Sequence, residues 1–196
     1  MKTAQNNNIT GFTMIELLVA IGIFGILLII VSGVFSRFML IERHGIAEGQ
    51  LISDLRSAME SFTKEARTGY GSTYNVSSDG KEVVFRNQDG DCVAYRIATT
   101  GTSGVFQRAD LGPSISSCDP GIFTGKDSKF SPLTGSSTDI SSIHFNAVIP
   151  QVAGGRMNQQ GVVTVSVTAS STVSDVQPIQ FENSITSRQM APYVQN

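Results

Sequence analysis

A chain of 196 residues has room for one modest globular domain and an anchoring segment, and its charge is sparse, with 15% Asp, Glu, Lys and Arg and a net charge of −2. That balance, with no run of Lys and Arg, argues against a nucleic-acid binder, because phosphate recognition rests on clustered cations. The 40% hydrophobic content is inflated by one N-terminal run, and the remainder is a polar, Ser/Thr/Gly-rich chain of the kind common in exported β proteins.

Residues 1–11 form a polar leader with Lys2 and the tract Gln5-Asn6-Asn7-Asn8, closed by Gly11. From 12 to 35 the polar side chains are Thr13, Glu16 and Ser32. At 1.5 Å per residue this stretch makes a helix of about 36 Å, enough to cross a bilayer core of about 30 Å with some tilt. An ordinary signal anchor is the plainest reading. A secretory signal places its cleavage site after the apolar run, whereas here the polar segment, the glycine and a carboxylate all precede it. A cut at this junction would leave the hydrophobic helix attached. Glu16, in so apolar a segment, needs a partner or a task. The candidates are Lys2 and, after a cut behind Gly11, the new amino group of Phe12, about one turn away near the positive end of the helix dipole. Cations divide between Lys2 on one side and Arg37 and Arg43 on the other, too evenly to set orientation.

The helical period continues through 36–69 as an amphipathic extension. Phe38, Ile41, Ile52, Leu55, Met59, Phe62 and Ala66 share one face, with Glu42, Arg43, Glu48, Asp54, Arg56, Glu60 and Lys64 opposite. Glu60 and Lys64 are spaced for an i, i+4 ion pair. The glycines of His44-Gly45-Ile46-Ala47-Glu48-Gly49 predict a bend or a frayed turn, and Gly69 a left-handed cap.

In 70–196 the period becomes alternating. Strands are predicted at 72–76, 82–86, 92–98, 104–108, 140–149, 161–169 and 178–188, and tight turns at Asp79-Gly80 and Asp89-Gly90 make 70–108 an antiparallel meander. Val163, Val165 and Val167 alternate with Thr164, Ser166 and Thr168, the pattern of a sheet with one wet face. Residues 109–139 carry no periodic element and read as an irregular functional loop or lobe. Cys118 lies in that lobe and Cys92 in a strand. Two unrelated thiols is the plain reading, while an exported domain favours a disulfide tethering the lobe.

Chemistry-bearing patterns are thin. His44 falls in the helix and His144 in a strand, and no Gly-x-Ser-x-Gly, Walker, Cys-x-x-Cys or His-Glu-x-x-His pattern occurs. Asp79, Asp89 and Asp91 suit turns better than a calcium loop. The expectation is a protein that is not an enzyme, with no catalytic residue, metal, cofactor or small-molecule substrate.

The stretch Gly11-Phe12-Thr13-Met14-Ile15-Glu16-Leu17-Leu18-Val19-Ala20-Ile21 resembles the class III signal of type IV pilins and of type II secretion pseudopilins. The resemblance implies cleavage after Gly11 by a prepilin peptidase, N-methylation of Phe12, and a role for Glu16 in docking the subunit into a growing filament. It implies an α+β fold, a long N-terminal transmembrane helix followed by an antiparallel β domain, single-pass in the cytoplasmic (inner) membrane with the C-terminal domain extracytoplasmic. Other pilins or pseudopilins and an inner-membrane assembly platform are the implied partners.

Many major pilins carry a proline within the hydrophobic segment, and this chain has none before Pro113. A second, less specific resemblance lies in Val84-Phe85-Arg86, Val93-Ala94-Tyr95-Arg96, Val105-Phe106-Gln107-Arg108, Ile143-His144-Phe145 and residues 181–188. These are similar to the strand succession of J-type minor pseudopilins and PilW-like minor pilins, so a minor subunit at or near a filament tip is expected, in a pilus or a type II secretion pseudopilus. The alternative is a single-pass anchored binding module whose 109–139 lobe recognises a ligand, a surface or DNA.

Overall fold

The apolar N-terminal run and its amphipathic continuation form one helix, α1 (Met14–Thr68), of 55 residues. The computed structural model describes residues 11–100, 103–113, 117–149, 160–172 and 176–188, so positions 1–10 of the expected leader lie outside the described residues. The chain divides into two units, Met1–Arg43 and His44–Asn196, and α1 contributes to both.

In the second unit α1 buries Ala47, Leu51, Leu55, Ala58, Met59, Phe62 and Ala66. The stripe starts one position off the expected one: Leu51 is buried and Ile52 is 43% exposed. Leu51, Leu55 and Met59 repeat every four residues and stack on one side, while Ile52 sits about 100° further round. The expected frayed turn at 44–49 does not form, and the helix continues through both glycines. Their propensity deficit of about 1 kcal/mol each is offset by burial of Ala47 and Leu51 beside them.

Gly69 is not a left-handed cap either, since positive φ occurs at other glycines. Its N–H still bonds the Glu65 carbonyl at 2.9 Å, and a Cβ there would stand 2.7 Å from the Arg86 carbonyl oxygen. Close approach to the sheet, and not backbone handedness, requires the glycine.

Strands β1 (Asn75–Val76), β2 (Glu82–Arg86), β3 (Cys92–Thr100), β4 (Ser103–Asp110) and β5 (Phe130–Pro132) form one antiparallel sheet in sequence order. Strands β6 (Thr138–Val148), β7 (Val162–Ser171) and β8 (Ile179–Thr186) form a second. The first predicted strand is mostly a 3-10 turn at Gly71–Thr73, leaving β1 two residues long. Gly80 and Gly90 take φ of 70° and 87° at the two predicted turns, a conformation open to Gly at little cost. Valines 163, 165 and 167 are buried along β7.

Phe62, fully buried, joins the two sheets. Its ring meets Tyr95 at 4.9 Å, and Phe85 and Phe106 at 6.5 Å, from the first sheet, and Phe145 at 5.6 Å from the second. Three residues distant in sequence converge on Glu65, three positions after Phe62 in α1. Arg108 Nε and Nη2 donate to the two carboxylate oxygens at 2.8 and 2.6 Å, Asn87 Nδ2 donates at 3.3 Å, and the Tyr95 hydroxyl donates to Oε2. Burial alone would raise the Glu65 carboxyl, but these hydrogen bonds and the Arg108 charge outweigh it and hold Glu65 below the usual carboxylate range. The expected Glu60–Lys64 pair is absent; the ion pairs among the described residues are Arg108–Glu65, Arg108–Asp110 and Arg96–Asp127.

The segment 109–139 is more regular than its sequence suggests. It contains 3-10 turns at Pro120–Phe123 and Asp127–Lys129 and the edge strand β5. Phe123 and Phe130 bury the outer face of the first sheet against Val84, Ala94 and Ala109, and the Arg96 guanidinium lies 3.5 Å over the Phe130 ring. The structure joins Cys92 of β3 to Cys118, with a Cα–Cα separation of 5.6 Å. Both faces of this sheet are therefore covered, which explains why β2 is buried at Val83, Val84 and Phe85 alike.

Candidate processing and assembly site

The site sequence reasoning points to is the start of α1. Thr13 precedes the helix and Glu16 lies in its first turn. The Thr13 backbone N–H and hydroxyl both donate to Glu16 Oε2, at 3.0 and 2.9 Å, and the Glu16 N–H donates to Thr13 Oγ1 at 3.4 Å. This is a reciprocal capping box, satisfying donors that a helix start otherwise leaves without partners. Its signal, Thr-x-x-Glu before an apolar run, is plain in Thr13-Met14-Ile15-Glu16. The carboxylate therefore has a local structural use before any second subunit arrives.

The same economy holds along the apolar run. The Ser32 hydroxyl donates to the Leu28 carbonyl at 2.8 Å. Each polar side chain of 12–35 thus makes a hydrogen bond within its own segment, which lowers the cost of placing it in an apolar medium and leaves Glu16 Oε1 as the carboxylate oxygen still to be matched. Its apolar side chains have no cover: the most apolar 18-residue window has a mean hydropathy of 2.9 and is 0% buried. Ile15, Glu16, Val19, Ala20 and Ile23 line one shallow groove on the helix surface. At i, i+4 and i+8 spacing they share a flank, so a helix laid into that groove meets Glu16 among aliphatic side chains.

Gly11 and Phe12 stand immediately outside the helix. Phe12 is 88% exposed, and among the described residues a Cβ on Gly11 would meet no atom within 4 Å. No contact of the described residues requires a glycine there. The structure brings Gly11, Phe12 and Glu16 together at one helix end, and places Cys92 and Cys118 in the other unit, as a structural tether rather than a part of this site.

A family profile described as the prokaryotic N-terminal methylation motif matches residues 6–32, the span that contains Gly11, Phe12, the capping box and the uncovered apolar helix. Comparison with curated proteins and with solved structures gives no match. The motif implies processing by prepilin peptidase and assembly with other pilins, and with the long apolar helix it fits a membrane-anchored subunit. This motif supports a type IV pilin-like protein, and the order of elements, a long apolar helix followed by two antiparallel sheets, matches the type IV pilin α+β fold.

Proposed function

We propose that this protein is a minor pilin or pseudopilin: a structural, non-enzymatic subunit held by α1 as a single pass in the cytoplasmic membrane, then moved into a filament at or near its tip. The observation that carries this reading is the methylation motif laid over a helix whose apolar window nothing in its own unit covers. Passage from lipid to a filament core keeps that surface in apolar surroundings. Release into water would expose it at about 25 cal/mol per Å². In this reading prepilin peptidase cuts between Gly11 and Phe12, Phe12 is N-methylated, and an inner-membrane platform supplies the work of assembly.

Glu16 then has two tasks in succession. Both Thr13 donors reach Oε2, so Oε1, without a partner among the described residues, is the atom that a neighbouring subunit's Phe12 ammonium would meet. Two variants test the sequence of events. Gly11→Ala should abolish leader removal, while Glu16→Ala should leave processing intact and impair incorporation into filaments. Normal incorporation of an uncut Gly11→Ala chain would refute the mechanism.

A further inference from the structure

The inward row of the second sheet changes character at its edge. Facing α1, β7 buries Val163, Val165, Val167 and Ala169, and β6 adds Ile140, Ile143 and Phe145 to the same core. Register places Ile185, Asn183, Phe181 and Ile179 of β8 opposite that β7 row. Only Ile185 of these is buried, and Phe181 is 37% exposed. Beside them a groove of about 680 Å³ opens between β8 and α1, floored by Ile52, Leu55, Met59, Ile179 and Phe181.

Two further features say what would fill it. The sheet ends at β8, which pairs with β7 on one side and, among the described residues, with no strand on the other. A strand edge that no described strand covers, next to the exposed Phe181 and the half-buried Ile179, is an arrangement that accepts an added strand: backbone bonds supply affinity and alternate side chains enter the groove. The rim sets the charge. Arg56, Lys64, Arg67 and Arg188 surround the opening against the single carboxylate of Glu60, in a chain whose net charge is −2. None of the four cations is in an ion pair among the described residues.

We propose that this groove receives an extended segment of another protein, apolar at its centre and acidic at its flanks, added as a further strand on β8. The proposal stands apart from the filament reading and fails or holds without it.

The test uses the full chain in detergent and two fluorescent peptides sharing an alternating valine–threonine core, one flanked by glutamates and the other by lysines. The glutamate peptide should bind saturably and about tenfold more tightly than the lysine peptide, protect the amides of 179–186 from hydrogen exchange, and lose binding when a proline enters its core. Phe181→Asp on the sheet side and Ile52→Asp on the helix side, both at exposed positions, should each weaken it by about tenfold. Arg67→Glu with Arg188→Glu should erase the charge preference. Equal binding of the two peptides, binding without protection of β8, or no binding overturns the proposal. Binding that appears only after removal of residues 189–196, or only when self-association is diluted out, gives the groove to the chain's own terminus or to a second copy and overturns it as well.

Discussion

Replacing Glu65 by alanine removes the carboxylate through which α1 holds the first sheet. Four donors lose their acceptor at once: two from Arg108, one from Asn87 and the Tyr95 hydroxyl. Glu65 and Arg108 have side chains 17% and 28% exposed. Breaking a buried pair costs about 3 to 5 kcal/mol, and the lower end applies because Arg108 keeps some solvent and its contact to Asp110 at 3.2 Å. A loss of about 3 kcal/mol in a unit of this size lowers Tm by roughly 6 to 12 °C. Thermal unfolding of the full chain in detergent, followed by near-ultraviolet circular dichroism, measures it. Adding Arg108→Leu should return part of the loss, since no orphaned guanidinium remains.

The pH dependence has a defined sign. Glu65 is held below its unfolded value in the folded chain, so its contribution is complete above about pH 4.5 and fades as pH falls through the folded value. Glu82 works in the opposite sense, because burial raises its carboxyl. Comparing the native chain with Glu65→Gln cancels that term. As pH falls below about 4.5 the native chain should lose stability more steeply than the variant. A Tm drop under about 2 °C for Glu65→Ala, or parallel pH profiles for native and Glu65→Gln chains, would refute this account of the contact.

Three further outcomes follow from the same structure. Cys118→Ser opens a cross-link spanning 26 residues, which should cost about 3.5 kcal/mol and be visible as a lower denaturant midpoint. Phe62→Ala empties the site where both sheets meet the helix, a loss of about 3 to 5 kcal/mol that should abolish cooperative unfolding of the second unit. Thr13→Val removes the hydroxyl of the capping box, so the amides of the first helical turn should exchange faster while those of Phe62 and its neighbours are unchanged.

Much of this was legible from residue patterns because the signals are local. The apolar run, the meander at Asp79-Gly80 and Asp89-Gly90, and the alternation of Val163, Val165 and Val167 each depend on near neighbours. What the sequence hid depends on distant partners. Glu65 looks like one more charge on the polar side of α1, and only the fold brings Arg108 and Tyr95 to it. Gly69 reads as a cap because helix ends commonly use one, whereas the true constraint is the Arg86 carbonyl. Strand β5 was missed because three residues cannot display a period, and its pairing to β4 comes from the tethered lobe behind it. At the N-terminus the motif was legible, and the capping box is local too, since Thr13 lies three residues before Glu16; of the two expected cations, Lys2 lies outside the described residues and the Phe12 amine exists only after the cut.

The most direct test of the central claim is the intact mass of this chain in filaments sheared from cells that express it with its assembly machinery. The account predicts that the chain is present and begins at Phe12 with one N-methyl group. Its absence from the filament fraction, or its presence there with Met1 and the leader intact, would contradict it.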